Sequence, residues 1–183
     1  MKIVLTFFVL FFSSLLPADE ISDFQIEGMS LGDSALDFFS ENEIKNNLKN
    51  YYSDNTYSVT EIYNPTLLKV YDAIQLHFKS SDKEYTIESI AGYLNYENNI
   101  DKCYEKKNKI YNDINSLFLD MKKEEHDRPH VADKSGKSFV SEIDLYNDDF
   151  SIRIICTDWS KQTGYKDNLS VAIEGRDFLY WLS

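Results

Sequence analysis

Residues 139–158 read FVSEIDLYNDDFSIRIICTD, and the period of two in this stretch decides the fold class. Phe139, Ile143 and Leu145 alternate with Glu142 and Asp144. After Asn147-Asp148-Asp149, Phe150, Ile152, Ile154 and Cys156 alternate with Ser151, Arg153 and Thr157. An apolar residue at every second position marks a strand with one face in a core and the other towards water. Asn-Asp-Asp is turn chemistry, so the stretch reads as an antiparallel hairpin. Leu169, Val171 and Ile173 add a further strand. The C-terminal part is therefore expected to be a three-stranded antiparallel meander, ending in a helical turn over residues 177–182 that docks Phe178 and Trp181.

Upstream the period changes. Ile100, Cys103, Ile110, Ile114, Leu117 and Met121 recur at three- and four-residue spacing, broken only by Lys107. This predicts one long helix over residues 100–121, with Asn99 as its N-cap. Cys103 falls on the apolar stripe of that helix and Cys156 on the apolar face of its strand. Two independent periodicities thus aim both sulfurs into one core, and Cys103–Cys156 is the expected disulfide; the alternative is a pair of reduced core cysteines. Redox or catalytic use calls for a CxxC pair or an exposed thiolate, and the spacing supplies neither.

Ahead of the helix, strands are expected over residues 57–63, 71–79 and 85–96, with Pro65 and residues 80–83 as turns and Gly92 as a bulge or point of close packing. His77 falls on the outward side of its strand and is expected to be solvated. Two short helices open the chain. The first gathers Leu31, Ala35, Leu36, Phe38 and Phe39 after Gly28-Met29-Ser30-Leu31-Gly32-Asp33; the second carries Ile44 and Leu48 after a Ser40–Glu43 capping box. The expected architecture is α+β: two short N-terminal helices, antiparallel strands, one long helix packed on the sheet, then the meander. It forms a single domain over residues 19–183. The helix-then-meander order occurs twice, over residues 28–97 and 100–175, as a weak internal repeat.

Composition narrows the function classes. Among 183 residues, 31 Asp and Glu face 19 Lys and Arg, for a net charge of −12. That field repels phosphate and speaks against a nucleic-acid partner; it favours basic partners or weak Ca²⁺ binding. A hydrophobic share of 43 % excludes intrinsic disorder, and 2 cysteines exclude a disulfide-dense scaffold. Lys2, the apolar run over residues 3–12 and Ser13-Ser14-Leu15-Leu16-Pro17-Ala18 read as a cleaved secretory signal over residues 1–18. The run is too short to span a bilayer, so no integral membrane insertion is expected after cleavage. Lysine far outnumbers arginine and asparagine is abundant, the composition of an AT-rich genome. The expected location is periplasmic or secreted, in a bacterium.

Unusual polar residues gather in two segments that the hairpin brings to one end of the sheet: His126, Arg128, His130 and Asp133 before it, and Asp158, Trp159 and Tyr165 after it. Loops at a sheet end are a common place for recognition. His126, His130 and Asp133 are residue types that bind zinc, but the four-residue spacing needs a helix and Pro129 stands between the histidines. Gly136-Lys137-Ser138 lacks the first glycine of a phosphate loop, since position 131 is Val131. Trp159 and Tyr165 either form a platform for a sugar or peptide or cover the end of the core. Asn168-Leu169-Ser170 is a glycosylation sequon, of use only in a eukaryotic secretory pathway. No catalytic residue, metal or cofactor is assigned. The expected function is a non-enzymatic module of the periplasm or cell envelope that binds another protein or an envelope component, another envelope protein being the candidate partner. The alternative is a metal-dependent or hydrolytic enzyme using the loops around His126, His130 and Asp158.

The run from Asp23 to Ser34, DFQIEGMSLGDS, directly after the signal resembles the opening of a family of small exported proteins of marine bacteria. Cys103-Tyr104, Ala132-Asp133-Lys134-Ser135-Gly136-Lys137-Ser138 and Asp158-Trp159-Ser160 extend the resemblance over most of the chain. It implies no particular reaction. More distantly, Gly-Met-x-x-Gly followed by a helix and an antiparallel meander is similar to small outer-membrane-assembly lipoproteins and to β-lactamase-inhibitor-like domains. The lipidated cysteine of the former has no counterpart here. That likeness implies a binding module with helices on one face of a sheet.

Overall fold

In the computed structural model, which describes residues 24–183 apart from Pro65 and Asn98, the alternating segments pair into one eight-stranded antiparallel sheet. The secretory signal expected over residues 1–18 lies outside the described residues. The strands are β1 (Leu48–Lys49), β2 (Tyr57–Ile62), β3 (Ala73–Lys79), β4 (Ser89–Asn95), β5 (Lys122–Pro129), β6 (Phe139–Tyr146), β7 (Phe150–Asp158) and β8 (Asn168–Gly175). Across the sheet they run β1-β2-β3-β4-β8-β7-β6-β5. Two four-stranded meanders thus meet last strand to last strand. Helix α1 (Glu41–Asn46) precedes the first meander, α2 (Ile100–Asn115) the second, and α3 (Arg176–Leu182) follows β8.

One register runs through the whole sheet. Leu76 stands opposite Ile90, Ile90 opposite Ile173, Ile173 opposite Ile152 and Ile152 opposite Leu145. All five side chains in this row are fully buried, and each contributes roughly 1.5–3 kcal/mol through burial. The row is covered from one side only. Over the second meander lies α2, with Cys103 and Ile114 inward, followed by Phe118; over the first lies the N-terminal segment, with Ile26, Met29, Ala35, Phe39 and Ile44. These residues form one contiguous core.

Several elements differ from the sequence reading. The first expected helix is reduced to a 3₁₀ turn, Ala35–Asp37, capped by Ser34. Positive φ at Glu27, Gly28 and Gly32 takes the chain off a helical path, and the Glu27 carboxylate instead accepts the backbone N–H groups of Lys69, Val70 and Tyr71. The second helix keeps its Ser40–Glu43 capping box in full but yields to β1 after one and a half turns. The strand expected from residue 85 starts at Ser89, because Tyr85 and Ile87 bond to Asp33, Ala35 and Gly32 of the N-terminal segment, and Tyr85 has φ +51°. Gly92 lies in unbroken register with both neighbours, so it is a close contact and not a bulge: a Cβ there would stand 2.6 Å from the Tyr71 ring. Helix α2 stops at Asn115 instead of residue 121. The C-terminal meander has four strands, not three, since β5 pairs with β6 where the sequence predicts a loop.

Cys103 and Cys156 form the expected disulfide, with Cα atoms 5.9 Å apart and both residues wholly buried. It ties α2 to β7 beneath the second meander. The two cysteines are separated by 53 positions, a loop for which closure stabilises by up to about 4 kcal/mol in the chain-entropy picture. Replacing both cysteines with alanine should therefore lower unfolding stability by about 2–4 kcal/mol in urea, with the reduced wild type falling to a similar value; an unchanged midpoint would mean that the bond is not formed or carries no constraint.

Candidate functional site

Side chains of the opposite parity form the second face of the sheet, which α1, α2 and the N-terminal segment leave bare. The row next to the apolar one reads Gln75, Ala91, Ala172, Arg153, Asp144 and Glu124 across six strands. Beside it lies Tyr93, then Ser170, Ile155, Glu142 and His126. The first meander contributes a tyrosine cluster. The hydroxyls of Tyr51 and Tyr63 donate to the two oxygens of Glu61, at 2.6 and 2.9 Å, and the Gln75 amide donates to the same carboxylate. Burial raises the hydroxyl pKa of Tyr51 and Tyr63, with the Glu61 carboxylate adding to it.

The second meander contributes an ionic network. Glu142, whose side chain is only 4 % exposed, meets Arg128 and Arg153, each at 2.6 Å, and Arg153 reaches on to Glu174 at 3.2 Å. Burial would raise the Glu142 carboxyl, but the charge of Arg153 and hydrogen bonds from both arginines outweigh it and hold the group below its ordinary value. Glu174 and Asp144 go the other way. Burial lifts both, and the pull of Arg153 does not bring them back.

Across one end of this face lies α3. Phe178 is buried against Tyr57 and His77, with ring centroids 5.1 and 4.7 Å away, and Trp181 stacks edge-on against Tyr52 at 4.5 Å. The Trp181 indole N–H donates to Asp54, and Lys79 pairs with Asp177. The docking of Phe178 and Trp181 expected from the sequence is thereby realised. His77 is not a solvated strand residue: α3 covers it, leaving 6 % exposed. Between α3 and strands β5–β8 an open cleft of about 470 Å³ remains, lined by His126, Arg128, Glu142, Asp144, Arg153, Glu174 and by Leu179 and Leu182 of α3.

The residues singled out from the sequence divide into separate places. His126 and Arg128 are two positions apart on β5, hence on one side of it, and line the cleft; His126 lies 3.4 Å from Glu124. At the end of the β6–β7 hairpin, His130, Trp159 and Tyr165 form a stack, with centroid spacings of 4.2 and 4.8 Å. Burial and the charge of Arg128 lower the His130 imidazole. The Asp133 carboxylate closes its own turn, accepting from the Ser138 hydroxyl and from the backbone of Ser135 and Ser138, which holds its pKa far below the carboxylate range. Asp158 shares the parity of Cys156 and lies on the α2 side, where burial and the charge of Asp167 raise its pKa. His126, His130 and Asp158 therefore do not converge, and among the described residues no group of three or more His, Cys, Asp or Glu is arranged to hold a metal ion.

Sequence reasoning missed Glu142, Asp144, Arg153, Glu174, Leu179 and Leu182. A usable signal existed: the chain has only three arginines, Arg128, Arg153 and Arg176, and one of them, Arg153, falls on a strand whose other face is apolar. Compared with known protein families, with curated proteins and with solved structures, the chain has no match in any of the three.

His77 supplies a pH test of the α3 contact. Burial depresses its pKa to about 4, against a small opposing effect of Glu61 and of the Ser89 backbone. Because the unfolded chain binds the proton near pH 6.5 and the folded chain does not, the neutral-state stability is complete above about pH 6.5 and is lost as pH falls towards 4. This loss amounts to on the order of 3 kcal/mol. In His77→Phe, the fall in thermal midpoint between pH 7 and pH 4 should be visibly smaller than in the wild type; identical slopes would place the imidazole in water.

Proposed function

We propose that the chain is an exported, non-enzymatic binding module of the periplasm or cell envelope that meets another protein through the bare face of its sheet. The observation that carries this reading is the one-sidedness of the fold: α1, α2 and the N-terminal segment cover one face, and the other presents tyrosines and arginines fixed by carboxylates. Tyrosine and arginine are the residue types that carry protein interfaces. Holding them in place beforehand lowers the ordering cost of association. Tyr51 and Tyr63 are more than half exposed, ready to be covered.

Export is supported by the signal-like residues 1–18 and by the Cys103–Cys156 disulfide, which suits an oxidising compartment. Among the described residues no helix is long and apolar enough to cross a membrane. The resemblance to inhibitor-like domains implies helices on one face of a sheet, and here α1 and α2 share one face while the short α3 covers only one end of the other. A photo-reactive phenylalanine analogue at Tyr63, expressed in the exporting host, should form a discrete adduct with one protein, while the same group at Asn108 on the exposed side of α2 should form none. Equal adducts at both positions, or none at Tyr63, would contradict the assignment.

A further inference from the structure

The charges in the cleft beneath α3 do not balance. Glu142, Asp144 and Glu174 share two guanidinium groups. Both arginines close on Glu142, and Arg153 reaches Glu174 more loosely. Asp144 has no ion pair among the described residues, and its Oδ1 is buried there without a hydrogen-bond partner. An acceptor left bare in a desolvated place is costly and is normally met by a donor. Of its two cross-strand neighbours, Arg153 on β7 turns its guanidinium to Glu142 and Glu174 and makes no ion pair with Asp144, and Glu124 on β5 is another carboxylate. On the opposite side of the cleft, Leu179 and Leu182 form an apolar wall.

Resting on the binding-module reading, we infer that this cleft seats the ammonium or guanidinium group of a lysine or arginine side chain carried by the protein partner. The cation pairs with Asp144 and Glu174, and its methylenes lie along Leu179 and Leu182. The surroundings select this occupant over others. An anion would have to draw Arg128 and Arg153 away from Glu142, which both already hold at 2.6 Å. A bare metal ion lacks a ligand set among the described residues. A cation on an apolar stem matches a carboxylate floor beside a leucine wall, since such side chains bury their methylenes and keep the charged head on polar partners. The net charge of −12 attracts a basic surface and speeds the encounter.

The test uses the full chain with its disulfide intact, and n-butylammonium chloride as probe against sodium chloride at matched ionic strength. Methyl and amide NMR should show saturable shifts at Leu179, Leu182 and the Asp144 amide, with Tyr165 unmoved. Asp144→Asn should weaken the affinity at least five-fold and Glu174→Gln by a smaller factor. An absence of saturable shifts in the wild type, equal affinity in a folded Asp144→Asn variant, or tighter binding of sodium phosphate at the same residues overturns the inference. The wild-type titration decides even if a variant does not fold. A second arm separates this inference from the reading it rests on. If a partner captured at Tyr63 is captured equally well after its lysines are acetylated and its arginines blocked, the cation site fails and the binding module stands. If butylammonium saturates the cleft and nothing is captured at Tyr63, the protein source of the cation fails together with the binding-module reading.

Discussion

The pairing of β4 with β8 is the constraint on which the rest of the structure depends. Seven residue pairs, from Ser89 with Glu174 to Asn95 with Asn168, join two meanders that are otherwise consecutive in sequence and separate in space. Because side chains alternate with a period of two, this seam hands one parity from the first meander to the second. Ile90 and Ile173 turn towards the helices; Ala91 and Ala172 turn away. A slip of one residue would carry Ile173 and Val171 to the bare face and Glu174 into the core. Gly92 sits in the middle of the seam, where the Tyr71 ring occupies the place of its side chain.

One core and one bare face follow from this single register. On the core side, apolar burial supplies the driving force and the disulfide holds α2 in place. On the bare side, small residues at the centre, Ala91, Ala172 and Ser170, separate a tyrosine cluster around Glu61 from an ionic network around Glu142. That network is weak evidence of stabilisation, since desolvating several charges costs about as much as pairing them returns. Its consequence is positional: it fixes two arginines and leaves Asp144, although it stands opposite Arg153, without an ion pair among the described residues. Packed over one end of the face, α3 makes a corner where a flat sheet would offer none.

Much of this was legible in the sequence wherever a core imposes a period. The hairpin of residues 139–158, the cap at Ser40 and the meeting of Cys103 with Cys156 came from periodicity or local capping chemistry. The failures share a cause as well. Lys122–Pro129 has no apolar alternation because β5 is an exposed edge strand; its sequence KKEEHDRP carries the charge that protects an edge from further pairing, and only its eight pairs with β6 reveal it. His77 was placed on the correct face, but that this face is covered there depends on α3, nearly a hundred residues away. Of the candidate site, His126 and Arg128 were found as unusual residues in the wrong element. Glu142, Asp144, Arg153 and Glu174 read as ordinary outward strand positions, because nothing local says which outward face stays dry.

The most direct measurement of the central claim, that the bare face is the recognition surface, is hydroxyl-radical footprinting of the chain alone and within the native extract of its host. Tyr51, Tyr63 and Leu182 lie on or beside that face, whereas Leu119, just after α2, and Val131, in the loop between β5 and β6, are exposed outside the strands. The account predicts that the first three lose reactivity in the extract while the last two keep theirs. Protection at Leu119 and Val131, with Tyr51, Tyr63 and Leu182 as reactive as in the isolated chain, would contradict it.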